Sequence, residues 1–129
     1  MKIGELVQRS GLSAHTLRYY ERIGLLPRAH RNSSRQRDYD ASILTWIEFL
    51  HRLKTTGMPM KDMLQYAKLR EKGAPTETER QVLLEIHRDH LTAHISELRN
   101  CLAALDIKIS GYVLSTKQKK ADNDKPRKK

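Results

Sequence analysis

Four arginines fall within ten positions, Arg28, Arg31, Arg35 and Arg37, and Arg18 stands ten residues upstream beside Thr16, Tyr19 and Tyr20. Guanidinium forks and hydroxyls at this density are hydrogen-bond donors in search of acceptors, since the first 39 residues hold eight basic side chains against three acidic ones. Phosphate oxygens suit that set: arginine grips them bidentately, and Thr and Tyr add single bonds. The implied chemistry is recognition of a polyanion. A solvated surface is the alternative, most of all for Arg28, Arg31 and Arg35.

The rest of the charge supports a division of labour. Of the 129 residues, which carry a formal charge of +10, positions 115–129 hold seven basic and two acidic residues, whereas 74–114 hold four and six. The slightly acidic stretch must be held by something other than attraction to a polyanion. One end binds and the other assembles.

The elements that position the donors follow from apolar spacing. Ile3, Leu6 and Val7 form a short helical stripe, broken at Gly11, and Ser13 is a good cap for a second helix with Leu17, Tyr20 and Ile23 on one face. Gly24 and Pro27 end it, leaving a helix-turn-helix. Residues 27–39 have turn formers at the centre, basic flanks and no helical period, which predicts a β-hairpin wing. Asp40 caps a third helix through Ile43, Leu44, Ile47, Leu50 and Leu53, ended by Gly57. Pro59 opens a fourth, with Met63, Leu64, Tyr66 and Ala67 inward.

Thr76-Glu77-Thr78-Glu79 has the spacing of a capping box after Pro75, so a long helix is expected from 76. Leu84, Leu91, Leu98, Leu105 and Tyr112 recur every seven residues, with Ile95, Leu102 and Ile109 interleaved and Arg88 the one interruption. This is a coiled-coil seam. At 1.5 Å per residue it spans ~58 Å, more than a small domain can cover, so a second copy of the chain is the expected partner. The expected division is 1–73 as the binding domain with its third and fourth helices, 75–114 as the dimerisation helix and 115–129 as a disordered basic tail.

Ile3-Gly4-Glu5-Leu6, Leu17-Arg18-Tyr19-Tyr20-Glu21, Gly24-Leu25-Leu26-Pro27 and Arg37-Asp38-Tyr39 together resemble the MerR family of bacterial transcriptional regulators, over roughly residues 1–112. The resemblance implies a mainly α fold: a winged helix-turn-helix, two further helices and a long C-terminal helix pairing antiparallel with its dimer mate. It also implies a homodimer on a pseudo-palindromic promoter operator in double-stranded DNA, which it bends and untwists so that RNA polymerase engages the promoter. The second helix should enter the major groove, with Thr16 and Arg18 reaching bases or phosphates and Tyr19 the backbone. Tyr20 is either a core residue or one whose hydroxyl escapes to a phosphate. The wing arginines should hold phosphates or the minor groove, and Tyr39 resembles the family's wing tyrosine. Where family wings often have Gly, this chain has Arg35-Gln36.

Sensing functions are less defined. One cysteine, Cys101, cannot build a thiolate metal site within a subunit, so no metal or other cofactor is expected. His90 and His94 have ligand spacing, and His87, His94 and Cys101 share one line of the heptad frame, but a polar flank of the seam is the ordinary account. Cys101 is either a packing thiol or a redox or electrophile sensor. Trp46, Met58, Met60 and Tyr66 either line a site for a small effector or pack the core. No nucleophile, base and pocket signature is present, so no catalytic residue and no enzyme are expected. An effector-independent repressor or architectural DNA-binding protein is the alternative reading. The lone cysteine and the lack of secretory or spanning segments predict a cytoplasmic protein, on the nucleoid when bound, with no membrane partner.

Overall fold

The structure, a computed structural model, describes residues 1–124. In chain order the elements are α1 (Ile3–Ser10), α2 (Ala14–Ile23), β1 (His30–Arg31), β2 (Arg37–Asp38), α3 (Ser42–Thr55), α4 (Met60–Glu71), a 3-10 turn (Ala74–Thr76) and α5 (Glu77–Asp124). Contacts divide the chain into a first unit, Met1–Asp89, and a second from His90 onward.

In the first unit the local signals act as their chemistry dictates. Gly11 takes the left-handed conformation (φ 75°) that closes α1. Ser13 Oγ accepts the Thr16 N–H at 3.0 Å, capping α2. Asp40 Oδ1 accepts the Ser42 N–H at 2.9 Å ahead of α3, and that backbone bond holds its carboxyl below the usual carboxylate range. Leu6, Leu17, Leu25, Leu26 and Met63 are almost wholly buried, with Ile43, Ile47, Leu50 and Leu53 from one face of α3. Of the four residues that could have lined an effector site, Trp46, Met58 and Tyr66 belong to this core and Met60 is exposed. Trp46 stacks on Tyr66 at 5.8 Å, carries the Arg70 guanidinium over its ring at 4.3 Å, and its Nε1 donates to the Leu25 carbonyl at 3.0 Å.

Three expectations are corrected. The boundary at 73–75 moves to Asp89–His90, because the first turns of α5 belong to the head: Leu83 and Leu84 pack against its core, and Thr56 Oγ1 and His87 Nε2 share a 2.7 Å hydrogen bond. Leu84 therefore serves the head as well as standing at the start of the seam. Thr76 does not form a capping box with Glu79. It is buried, and its hydroxyl donates to the Leu69 carbonyl at 2.6 Å, fastening the end of α4 to the start of α5. Finally, α5 continues past Ser115 to Asp124, where disorder was expected. Thr116-Lys117-Gln118-Lys119-Lys120-Ala121 contains no Gly or Pro, and straight-chain residues extend a helix already nucleated at little cost. The last residues of the expected tail, 125–129, lie outside the described residues.

In the second unit, Ile95, Leu98, Leu102, Leu105, Ile109 and Tyr112 are 41–64% exposed in the single chain. Leu91 is half-buried. An exposed apolar line of this length has the character of an interaction surface.

Candidate nucleic-acid interface

The outer face of α2 carries His15, Arg18, Tyr19 and Arg22 at i, i+3, i+4 and i+7, opposite the buried Leu17. The Arg22 guanidinium lies 5.4 Å over the Tyr19 ring. Beside α2 stands the wing, an antiparallel pair in register His30 to Asp38 and Arg31 to Arg37.

One carboxylate joins the two. Glu21 Oε2 accepts from Arg37 Nη1 at 2.8 Å and from the Tyr39 hydroxyl at 3.2 Å, while Oε1 accepts the Ala29 N–H at 2.9 Å. Hydrogen bonding to Tyr39, aided by the Glu21 charge and opposed by partial burial, raises the Arg37 pKa. Burial above all raises that of the Tyr39 phenol. Both wing strands are thereby set against α2.

This geometry sorts the residues singled out by sequence. Arg18, Tyr19, Arg28, Arg31 and Arg37 line one concavity of about 480 Å³ between α2 and the wing, together with His15 and Arg22. Arg18, Arg31, Arg35 and Arg37 line a second of about 710 Å³, together with Lys2 and the backbone of Gly4. Arg18, Arg31 and Arg37 are shared. Tyr39 stands apart from the other wing residues: it is only 4% exposed, its hydroxyl donates to Glu21, and it supports the wing from within. Arg37 has one nitrogen committed to Glu21 and is half-buried. Thr16 lines neither concavity, and its hydroxyl accepts from Ser13 Oγ at 2.9 Å. Tyr20 packs its ring against the core, the first of its two readings, and its hydroxyl accepts from Lys54 Nζ at 3.4 Å.

Sequence reasoning did not single out His15, Arg22, Lys2 and Glu21, which also line these concavities. The spacing of 15, 18 and 22 was a usable signal for the first two. Nothing local marks the others.

The wing tip has its own solution to the missing glycine. Asn32 Oδ1 accepts from the Ser34 and Gln36 N–H groups at 2.9 and 3.0 Å, Arg31 Nη1 donates to the Arg35 carbonyl at 3.0 Å, and Arg35 is held at φ 61°. A left-handed arginine costs on the order of 1 kcal/mol. Arg35→Gly should therefore stabilise the head by about 0.5–1 kcal/mol in thermal unfolding, whereas Arg35→Ala, which keeps the strain, should not.

Among the described residues no group of three His, Cys, Asp or Glu side chains is placed to hold a metal ion. His94 Nδ1 lies 4.0 Å from Glu97, His90 is exposed, and the Cys101 thiol is exposed and unpaired.

The same combination of helix, wing and long helix occurs in known proteins. Residues 2–39 match the MerR family regulatory protein description and residues 44–106 the MerR DNA-binding description. An HTH-type transcriptional regulator of Haemophilus influenzae is 35% identical over 105 residues, covering 81% of this chain and 78% of that one. The chain belongs to the MerR family. The HTH-type regulator AdhR of Bacillus subtilis is 37% identical over 91 residues, or 70% of this chain and 65% of AdhR, so the match spans just under two thirds of that relative. The crystal structure of a Listeria monocytogenes protein assigned to the MerR family superposes with a TM-score of 0.86 at 36% identity, covering 95% of both chains. That of HiNmlR, a MerR family regulator lacking the sensor domain and bound to promoter DNA, gives 0.77 at 32% identity, covering 89% and 91%. The family is one of transcriptional regulators, and no described helix of this member is long and apolar enough to cross a membrane.

Proposed function

We propose that the protein is a homodimeric transcriptional regulator of the cytoplasm that binds a pseudo-palindromic operator in double-stranded promoter DNA and acts by distorting it for RNA polymerase. The observation that carries this reading is the pair of concavities flanking Arg18, which together hold Lys2, Arg18, Arg22, Arg28, Arg31, Arg35 and Arg37 against two carboxylates, Glu5 and Glu21. Phosphates of a backbone passing between α2 and the wing would find donors from both. HiNmlR, similar over most of its length, is bound to promoter DNA. The exposed seam of α5 supplies the second copy that a two-fold operator needs.

Two measurements test it. Footprinting should protect a dyad with enhanced cleavage at its centre, the mark of a distorted duplex; smooth coverage without sequence preference would favour an architectural protein. Arg18→Ala, at an exposed position shared by both concavities, should weaken operator binding and reduce the slope of log K against log salt by ~0.9 for each phosphate released. An unchanged slope would remove Arg18 from the interface.

A further inference from the structure

A cavity of about 440 Å³ lies among α1, α2, α3 and α4, and its lining differs from that of the basic concavities beside the wing. Its floor is the core itself: Leu25, Ile47, Leu50 and Met63, each at most 5% exposed. Leu12, Leu44 and the Tyr20 ring form half-buried apolar walls. The mouth carries Arg9, Arg52 and Lys54 against the single carboxylate of Glu48. Arg9 already reaches Glu5 at 3.5 Å, but among the described residues neither Arg52 nor Lys54 has a carboxylate within ion-pair distance. Lys54 Nζ donates to the Tyr20 hydroxyl at 3.4 Å.

We propose that this cavity binds an amphipathic monoanion, an acyl or aryl carboxylate, with its apolar body against the half-buried Leu12, Leu44 and Tyr20 ring and its carboxylate between Arg52 and Lys54. The volume is that of a small-molecule site, and an apolar lining with a few convergent polar groups is the usual form of one. Charge selects the ligand: a cationic amphiphile would meet a net positive mouth, and a neutral one would leave both cations to water. DNA could use the cations at the mouth but not the floor, which lies below the reach of a phosphate backbone. If the operator backbone also extends to the Tyr20 hydroxyl and Lys54, outside the two concavities beside the wing, a bound carboxylate would compete with a phosphate there and loosen the operator. That last consequence rests on the operator reading; binding of the anion does not.

Octanoate is a suitable probe, with 1-octanol as its neutral counterpart. Equilibrium dialysis against the full chain should show saturable binding at one octanoate per chain, with octanol weaker by roughly tenfold for the lost charge-assisted bonds. Trp46, the sole tryptophan, donates to the Leu25 carbonyl beside the floor at 3.0 Å, so its fluorescence should titrate with the same midpoint. The double variant Arg52→Gln, Lys54→Gln changes exposed residues and should bind octanoate roughly tenfold more weakly while melting like the parent chain. Leu44→Glu, which puts a like charge on the wall, should do the same. Absence of saturation, octanol bound as well as octanoate, or a double variant with parental affinity would each overturn the site. Octanoate bound at one per chain with operator affinity unchanged would support the site and remove the competition.

Discussion

Glu21→Ala is expected to weaken operator binding by about tenfold or more, although it removes a negative charge from a face that binds a polyanion. Long-range electrostatics alone gives the opposite sign: one more net positive charge should raise affinity, most at low salt. The structure predicts loss because Glu21 is what holds the wing. Its carboxylate accepts from Arg37, Tyr39 and the Ala29 backbone, and its side chain is only 10% exposed. Removing it leaves a buried phenol without an acceptor and a partly buried N–H without one, while Arg37, 31% exposed, recovers part of its loss in water. A destabilisation of about 2–3 kcal/mol should appear in denaturant unfolding. Glu5→Ala is the control. Glu5 borders the second concavity but is exposed and pairs with Arg9 at only 3.5 Å, so its removal should leave stability nearly unchanged and affinity equal or slightly higher. Tighter binding by Glu21→Ala, or an unaltered unfolding curve, would mean that the wing is not held this way.

That contrast also marks where sequence reasoning stops. Ser13, Gly11 and Asp40 act within a few residues of themselves, so caps and helix ends were readable from the chain. The apolar periods of α2, α3 and α5 were readable for the same reason. Glu21 was legible only as the last residue of the Leu17–Glu21 motif; its role was not, because its partners lie 8, 16 and 18 residues away. Tyr39 was read by likeness: a tyrosine next to a basic wing invites a DNA contact, and its burial against Glu21 emerges only from the fold. Thr76 failed differently. The capping-box spacing is present, but Thr76 lies within the 3-10 turn, where its hydroxyl donates to the Leu69 carbonyl at 2.6 Å and its oxygen accepts from Arg80 Nε at 3.1 Å. At the C-terminal end, the charge of the tail suggested disorder while the absence of helix breakers decided its conformation through Asp124.

Leu105→Lys and Ile107→Lys should have opposite outcomes, even though the two residues are neighbours, apolar and exposed at 59% and 74%. Leu105 stands in the seven-residue series with Leu91, Leu98 and Tyr112, whereas Ile107 falls on the far side of α5. If the seam is the dimer contact, lysine at 105 enters it twice in a two-fold pair, beside Leu102 and Ile109 on its own helix. It should replace the dimer by a monomer in sedimentation at micromolar concentration, since each buried leucine is worth about 2 kcal/mol before the charge is counted. Operator affinity should then fall by about 100-fold or more, because two linked half-site contacts become independent. The head should still melt as before, as its core contains no residue beyond Leu84. Ile107→Lys should stay dimeric and bind as the parent does. A monomer from Ile107→Lys and a dimer from Leu105→Lys would place the contact on the wrong face of the helix and break the link between a two-fold protein and a two-fold operator.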